Sequence, residues 1–176
     1  MREVIVKTSK VYEGRVVKLD VHEVRLPDDT FAKRELIRHM GAAAVLPLDT
    51  NGEVVMVRQF RLGADRVTLE IPAGILSEGE APEACAQREL QEETGFAAQE
   101  LVSLGAFYSA PGYTSEVIHV VLGTGLTPSP LAPDADEFLE VVRLPLSEAL
   151  EMVTQGTIID SKTIIALLKT ARLYQL

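Results

Sequence analysis

One stretch constrains the fold of this chain more than any other: residues 74–96 read GILSEGEAPEACAQRELQEETGF and crowd acidic side chains into a short segment. Pro82 suits the first turn of a helix, where its missing N–H is not needed. Gly95 followed by Phe96 is typical of a left-handed helix stop with an apolar contact behind it. These signals predict a helix from about Pro82 to Thr94.

Three glutamates of this helix project along one stripe, because Glu92 and Glu93 follow Glu89 by three and four positions. Like charges at this spacing destabilise an isolated helix, and burial raises that cost. A divalent cation reverses the effect, since hard cations such as Mg²⁺ bind carboxylate oxygens together with substrate phosphates. A solvated acidic face is the ordinary alternative. The stripe alone therefore leaves a metal-assisted phosphate site and a plain surface face open.

The spacing of the whole segment is more specific than the stripe. A known motif has defined residues at the intervals seen here for Gly74, Glu80, Arg88-Glu89-Leu90, Glu92-Glu93 and Gly95-Phe96. The segment resembles the Nudix box at every defined position, and the resemblance covers most of the chain. It implies an α/β fold, a Nudix-type α/β/α sandwich with a mixed, curved sheet and an N-terminal β appendage.

The resemblance also implies a metal site built on the stripe. Glu89, Glu92 and Glu93 are expected to hold Mg²⁺, with Mn²⁺ as an alternative and with more than one ion in the site. The carbonyl of Ala73, the residue before the box glycine, is expected to add a ligand. Arg88 is expected to orient the carboxylates through salt bridges.

Composition narrows the class of protein. With 176 residues, of which 47% are hydrophobic, the chain suits one α/β domain with a modest extra element. The formal net charge of −9 argues against binding to nucleic acid or to an anionic membrane. No stretch approaches the roughly 18 to 20 apolar residues that span a bilayer. Cys85 is the only cysteine, and we expect it to be packed and reduced in a soluble cytoplasmic protein.

Residues 1–40 alternate apolar and polar positions as β-strands do, with a turn at 27–30. This meander has too few large apolar residues for its own core, so it is expected to pack on the main domain, 41–176, or on a second subunit. Residues 12–17, YEGRVV, resemble the segment that ADP-ribose-cleaving Nudix enzymes exchange between subunits to hold adenine. The resemblance implies a homodimer with Arg15 and Val16 near the base, and an ordinary turn and strand is the alternative.

The rest of the chain alternates strands and helices. Further strands are predicted at 42–48, 54–60, 67–71, 101–109, 117–122 and 139–144. Asn-Gly at 51–52 predicts a hairpin between the first two of these strands. Ser147 is expected to cap a helix that ends at Gly156, and Asp160 or Ser161 to cap a last helix ending at Tyr174.

Two arginines end the strand that contains residues 57–61, VRQFR. Arg58 and Arg61 could pair with surface acids. The resemblance instead implies contact with phosphate or the terminal ribose in the substrate cleft, which suits a guanidinium fork. Glu70, on the next strand, either binds substrate or pairs with one of these arginines.

A loop at 110–116 reads APGYTSE, with Pro111 fifteen residues beyond the box. A Pro-Gly pair is often only a turn. Here the segment resembles the marker of the ADP-ribose pyrophosphatase subfamily, although relatives often have Asp in place of Ser115. The resemblance implies that the loop binds substrate through Pro111, Gly112, Tyr113 and Glu116.

The longest irregular stretch, residues 124–137, is expected to lie over the cleft, since long loops in compact domains are commonly functional. Relatives carry an acidic cluster here that supplies a metal ligand or a base for water. Glu137 stands where one such carboxylate is expected, but Ala135 stands where several relatives have another. Glu140 is a weaker candidate for this carboxylate. The alternative for Glu137 is that it is simply solvated with the rest of the loop.

Taken together, the resemblance implies hydrolysis of ADP-ribose to AMP and ribose 5-phosphate by a metal-activated water, without a covalent intermediate. One alternative is hydrolysis of another nucleoside diphosphate sugar or of an oxidised nucleoside triphosphate. Another, from a different class, is a sensor that binds ADP-ribose without cleaving it. The complete set of box carboxylates argues against a sensor, which has no need of them.

Overall fold

The structure is a computed structural model that describes residues 1–133 and 137–175. Within these residues the chain forms twelve β-strands and three α-helices, which confirms the mixed α/β class. The chain divides into two compact units. The first comprises Met1–Gly41 with Phe107–Val117, and the second comprises Ala42–Ala106 with Ile118–Leu176.

The first unit is built on a three-stranded antiparallel meander of β1, Val4–Glu13, β2, Lys18–Arg25, and β3, Phe31–Arg38. β2 is the central strand and alternates buried and exposed positions, whereas every residue of β1 is exposed. The predicted turn at 27–30 joins β2 to β3. The meander therefore has one side that is packed and an outer strand that is not.

Polar residues on the buried side of β2 are paired across the meander. Asp20 accepts a hydrogen bond from Arg38 Nε at 2.6 Å, and His22 Nδ1 lies 2.9 Å from Thr8 Oγ1. Both side chains on β2 are buried. These contacts join β2 to both of its neighbours, β1 and β3.

The second unit contains a four-stranded sheet in the order β7-β4-β10-β9. Its most buried strand, β4, covers Ala42–Pro47 and pairs in parallel with β10, Val117–Thr124. On its other side β4 pairs antiparallel with β7, Ala73–Ile75. β9, Glu100–Tyr108, forms the outer strand beside β10.

A second, antiparallel sheet of the same unit has the order β12-β5-β6. Its strands are β5, Glu53–Arg61, β6, Arg66–Glu70, and β12, Glu140–Pro145. A short ribbon pairs β8, Phe96–Ala97, with β11, Thr127–Pro128.

The expected hairpin between the strands at 42–48 and 54–60 is only partly formed. The turn is present, since the Asp49 N–H donates to the Glu53 carbonyl at 2.9 Å, but strand pairing stops after the single bridge Leu48–Val54. β4 and β5 then enter different sheets. Both edges of each strand are taken by other partners, so the local Asn-Gly signal fixes the turn and not the pairing.

The first helix, α1, covers Pro82–Thr94 as predicted, and Gly95 stops it in the left-handed conformation with φ of 77°. Its apolar side packs on β4 and on the neighbouring strand β10. The core cluster consists of the buried residues Ala43, Val45, Cys85, Ala86, Leu90 and Val121. Cys85, Ala86 and Leu90 thus mark the side of the helix that faces the sheet.

Two further helices follow: α2, Leu146–Thr154, and α3, Ser161–Tyr174. Ser147 does not cap α2, because the helix begins one residue earlier and Pro145 stands at its N-cap. Asp160 caps α3, where its side chain accepts the Thr163 N–H at 3.0 Å. None of the described helices is long and apolar enough to cross a bilayer.

Candidate active site

The stripe on α1 faces the short strand β7. A Cβ added to Gly74, on β7, would collide with the carboxylate of Glu89. Glycine at this position therefore makes room for a side chain of the helix beside the backbone of β7. Ala73, whose carbonyl is the expected ligand, precedes Gly74 on the same strand.

Arg88 binds three carboxylates of the box. Its Nη1 donates to Glu89 Oε1 at 2.5 Å and to Glu92 Oε2 at 2.9 Å, and its Nε donates to Glu80 Oε1 at 3.0 Å. These bonds, led by the one to Glu80, hold the pKa of Arg88 well above its usual value. Glu80 also accepts the Ser77 N–H at 2.9 Å. Arg88 thus links the loop before α1 to the acidic stripe, as its predicted orienting role requires.

The two most buried carboxylates of the stripe are Glu89 and Glu93, which are 7% and 6% exposed. Burial raises the pKa of Glu89, although Arg88 opposes that shift. Burial, with the nearby carboxylates of Glu89 and Glu137, raises the pKa of Glu93 to about 8. The buried Oε2 of Glu93 has no hydrogen-bond partner among the described residues. Glu93 is therefore a buried acid whose second oxygen has no donor in the part of the chain that the structure describes.

Glu137 belongs to the same cluster, because its charge raises the pKa of both Glu89 and Glu93. Three carboxylates from two separate parts of the chain thus act on one another. Ala135, where relatives often have another acid, lies outside the described residues. Glu140 is exposed and lies at the start of β12.

Glu70 receives hydrogen bonds from three side chains. Arg61 Nε and Nη2 donate to its two oxygens at 2.9 and 2.7 Å, Thr68 Oγ1 donates at 2.6 Å, and Lys162 Nζ also donates to it. Burial by itself would raise the pKa of Glu70, but the bonds from Arg61 and the charge of Lys162 outweigh it and lower the pKa to about 2. Of the two roles left open for Glu70, pairing with an arginine is the one present in this structure.

Arg58 pairs with an acid on the neighbouring strand. Its Nη1 donates to Glu140 Oε1 at 2.9 Å, and both side chains are exposed. The two arginines of residues 57–61 therefore differ, since Arg61 is held by a buried carboxylate and Arg58 by an exposed one.

The remaining predicted residues belong to the first unit. Arg15 and Val16 are exposed in the turn between β1 and β2, where the Gly14 N–H donates to the Val17 carbonyl at 2.8 Å. The turn is thus a regular hairpin connection with its side chains in solvent.

The loop at 110–116 is attached to β3 in that unit. The Ile37 N–H donates to the Tyr113 carbonyl at 2.8 Å, and the Ser115 N–H donates to the Ile37 carbonyl at 3.0 Å. Glu116 lies 3.7 Å from His39 Nδ1. Pro111 and Gly112 line a cavity of about 290 Å³ together with residues of the meander.

The carboxylates of the stripe are not arranged around a single point where they could hold a metal ion. Across residues 1–133 and 137–175, no three acidic, histidine or cysteine side chains form a cluster that could hold an ion as they stand. Glu89 and Glu92 are instead bound to Arg88.

The sequence matches a known protein family. The model of the NUDIX domain matches residues 37–167. The chain belongs to the Nudix family. The box, residues 74–96, thus lies within the matched region, and the chain is a Nudix hydrolase by family.

Several Nudix relatives match along nearly the whole chain. A methanol dehydrogenase activator of Bacillus methanolicus is 42% identical over 166 residues, covering 93% of this chain and 90% of the relative. An ADP-ribose pyrophosphatase of Bacillus subtilis is 40% identical over 169 residues, covering 95% and 91%. A GDP-mannose pyrophosphatase of Yersinia enterocolitica is 34% identical over 173 residues, covering 90% of each.

A crystal structure described as an ADP compounds hydrolase has the same fold. It superposes with a TM-score of 0.88 and covers 99% of this chain and 95% of its own, at 23% identity. The Nudix fold predicted from the sequence is therefore confirmed.

Sequence reasoning missed some members of the site. Thr68 stands two residues before Glu70 on a strand and so on the same face, which is a signal that could have been used. Lys162 comes from α3, 92 residues along the chain from Glu70, and no local pattern connects the two. Glu80 was recognised as a box position, but its bond to Arg88 was not assigned.

Proposed function

We propose that this Nudix hydrolase cleaves the diphosphate of ADP-ribose to AMP and ribose 5-phosphate with the help of Mg²⁺. The observation that carries the proposal is the buried stripe, in which one oxygen of Glu93 accepts no hydrogen bond from any described residue, and in which Glu89 and Glu137 act on Glu93. The choice of substrate is supported by the ADP-ribose pyrophosphatase that is 40% identical over 95% of the chain, and by the segment at 110–116.

The residues present fit a hard divalent cation. All side-chain donors on the stripe are carboxylate oxygens, and the adjacent strand adds the carbonyl of Ala73, which is the donor set that Mg²⁺ and Mn²⁺ prefer. Glu89, Glu92 and Glu93 would hold the ions, and Gly74 leaves the space that the Glu89 carboxylate occupies. Arg88 bonds to one oxygen of Glu89 and one of Glu92, and the cation would take the other oxygen of each.

When bound, divalent cations neutralise the diphosphate and make water a stronger nucleophile. Arg88 orients Glu89 and Glu92 through the bonds described above and holds the loop at Glu80. Glu137 is the residue we assign to orient the attacking water or to accept its proton, because its charge acts on both Glu89 and Glu93.

Substrate contacts are assigned to two sets of residues. Arg58 and Arg61 are proposed to reach phosphate or terminal ribose, since both guanidinium groups are partly exposed beside their acidic partners. Glu70 is proposed to hold Arg61 for this contact. Arg15, Val16 and the loop residues Pro111, Gly112, Tyr113 and Glu116 are proposed to recognise the adenosine half.

The meander of residues 1–40 is proposed to form a homodimer. Its outer strand β1 is exposed along its whole length. The exposed large side chains there and nearby are Val4, Ile5, Val6, Val11, Tyr12 and Phe31. A second copy would cover this apolar surface. Sedimentation at micromolar concentration tests the assignment, and a fully active monomer would refute it.

A panel assay tests the substrate. Release of nucleoside monophosphate is measured with ADP-ribose, GDP-mannose, other nucleoside diphosphate sugars and oxidised nucleoside triphosphates, each with Mg²⁺ and with Mn²⁺. We expect the highest kcat/KM for ADP-ribose. Equal or faster cleavage of GDP-mannose would move the proposal to that substrate, which the Yersinia enterocolitica relative favours.

A second candidate function rests on the relative that is 42% identical and named as a methanol dehydrogenase activator. We test it by adding the wild-type protein to a methanol dehydrogenase and measuring the dehydrogenase rate. The Glu93→Gln variant is added in parallel. A rate increase with the wild type alone supports activation through the same site, and no increase removes this candidate.

A further inference from the structure

The first turn of α3 is bonded to the chain directly after β6. The Ile71 N–H donates to Thr163 Oγ1 at 2.9 Å, and the same hydroxyl donates to Asp160 Oδ2 at 2.6 Å. Thr163 is fully buried, which strengthens both bonds because water does not compete for them. These bonds fix the end of β6, and with it the neighbouring residue Glu70, against the start of α3.

Lys162 stands in the same turn and bonds to two carboxylates. Its Nζ donates to Glu70 Oε2 and lies 3.1 Å from Asp160 Oδ1. Only 12% of the Lys162 side chain is exposed. Asp160 also holds Thr163 through its other oxygen, so one carboxylate fixes both residues of the turn. The ammonium group is therefore held in place beside Glu70.

The bonds to Glu70 are divided between its two oxygens. Oε1 accepts from Arg61 Nε at 2.9 Å and from Thr68 Oγ1 at 2.6 Å, while Oε2 accepts from Arg61 Nη2 at 2.7 Å and from Lys162. Arg61 Nη1 takes no part in this bidentate pairing, and 42% of the Arg61 side chain is exposed. Arg61 can therefore keep its bonds to Glu70 and still offer a donor to a ligand.

We propose that Lys162 is a positioning residue for substrate binding, which holds Glu70 so that Glu70 keeps Arg61 in one orientation. A carboxylate with a further partner on each oxygen does not rotate freely, so the guanidinium paired with it is fixed before a ligand arrives. Fixing a long side chain in advance lowers the entropy that binding costs. Lys162 acts through Glu70 and needs no contact with the substrate. This inference rests on the proposed function, in which Arg61 reaches phosphate or terminal ribose.

Lys169 offers a matched control two turns later on α3. Its Nζ donates to the Leu104 carbonyl at 2.5 Å, whereas Lys162 bonds to Glu70. Methionine at either position keeps an unbranched, flexible side chain and removes the ammonium group. Comparing Lys162→Met with Lys169→Met therefore separates loss of the bonds at the start of α3 from the general effect of removing a lysine from this helix.

The kinetic test uses the nucleotide sugar that the wild type cleaves fastest. We expect Lys162→Met to raise KM about five- to tenfold, which corresponds to ordering one long side chain on binding. Its kcat should stay nearly unchanged, because the weakened contact is made in the ground state and the transition state alike. Lys169→Met should stay near the wild type in both quantities. Equal effects of the two variants, or a loss of kcat alone in Lys162→Met, would overturn the proposal.

A double mutant shows whether Lys162 acts through Arg61. Arg61→Ala should raise KM, and adding Lys162→Met to that background should then change KM little, because the group that Lys162 positions is already gone. Effects that multiply would overturn the proposal. If Arg61→Ala has the KM of the wild type, the substrate contact assigned to Arg61 is wrong and the proposal fails with it.

Nuclear magnetic resonance gives a readout that needs no activity. The order parameter of the Arg61 Nε–H bond, measured without substrate, should be lower in Lys162→Met than in the wild type and in Lys169→Met. An unchanged order parameter would overturn the proposal even if KM rose. Lys162→Gln, whose side chain is one atom shorter and carries no charge, replaces Lys162→Met if that variant does not fold, and the same changes are expected. Failure of the proposed function is distinct, since it shows as a wild-type protein that cleaves no nucleotide sugar in the panel.

Discussion

Two buried glutamates of the second unit have different surroundings and opposite pKa shifts. Glu70 is 2% exposed and Glu93 is 6% exposed, so burial is nearly the same. Glu70 is bound by Arg61, Thr68 and Lys162, and its pKa is lowered to about 2. Glu93 lies among other carboxylates, has an oxygen without a described partner, and its pKa is raised to about 8.

This difference distinguishes a carboxylate that stabilises the fold, Glu70, from one that we propose binds a ligand, Glu93. A buried carboxylate that is fully bonded contributes to folding, and removing it takes a charged partner away from the cations around it. A buried carboxylate without enough donors disfavours folding while it is charged. Such a group is typical of functional sites, where a bound ion supplies the missing charge. Substitutions of the two residues test this difference.

The largest effect is expected for Glu93→Gln. Its kcat should fall at least about a hundredfold, since a metal ligand supports several kcal/mol of charge stabilisation in the transition state. Without metal its stability should hold or rise, because a neutral amide replaces an acid whose ionisation in the folded state is disfavoured by burial and by Glu89. Steady-state kinetics and metal-free urea unfolding measure both quantities. Marked destabilisation without metal would make Glu93 a structural residue.

Glu70→Gln, in contrast, should destabilise the folded protein. We expect a loss of about 2 to 3 kcal/mol in the free energy of unfolding, because Arg61 loses the charge of Glu70 and Lys162 keeps only that of Asp160. Urea unfolding at pH 7 measures it. Glu100→Gln, an exposed substitution on β9, is the control and should change stability by less than about 0.5 kcal/mol. Equal effects of the two would show that the buried pairs are not stabilising.

Lowering the pH should remove the stability that the wild type has over Glu70→Gln. The folded-state pKa of Glu70, about 2, lies below the usual value of 4.5, so the stabilisation is complete above pH 4.5 and is lost as the pH falls toward 2. The stability difference between the two proteins should therefore be constant from pH 7 to 5 and shrink below 4.5. A difference that stays constant down to pH 3 would contradict the assigned ion pairs.

The smallest effect is expected for Arg58→Ala on folding. Arg58 and its partner Glu140 are exposed, and exposed pairs contribute about 0 to 1 kcal/mol. A substrate role would show instead as a raised KM for ADP-ribose. If KM is unchanged while stability falls by more than 1 kcal/mol, Arg58 is a structural residue.

Local sequence signals predicted the elements of the site well. The proline start and glycine stop of α1 gave its bounds, because caps act through the backbone within a turn or two. The spacing of Glu89, Glu92 and Glu93 gave the stripe for the same reason. The cap of α3 was narrowed to two residues, and the structure selects Asp160.

Partnerships between distant segments could not be predicted in this way. The turn at 49–52 is local, yet β4 and β5 separate because other strands take their edges. The bond of Lys162 to Glu70 and that of Gln91 to Ser129 join residues far apart in the chain. Only the packing of the sheets and helices decides which of many possible donors meets a given acceptor.

Thermal melts with increasing Mg²⁺ test most directly whether Glu93 is held for a metal ion. A ligand that binds only the folded protein raises its stability with the logarithm of the ligand concentration. We predict that Mg²⁺ raises the Tm of the wild type and of Glu70→Gln by similar amounts, although Glu70→Gln starts from a lower Tm. The Tm of Glu93→Gln should barely respond to Mg²⁺. A rise in Glu93→Gln equal to that of the wild type would contradict the account.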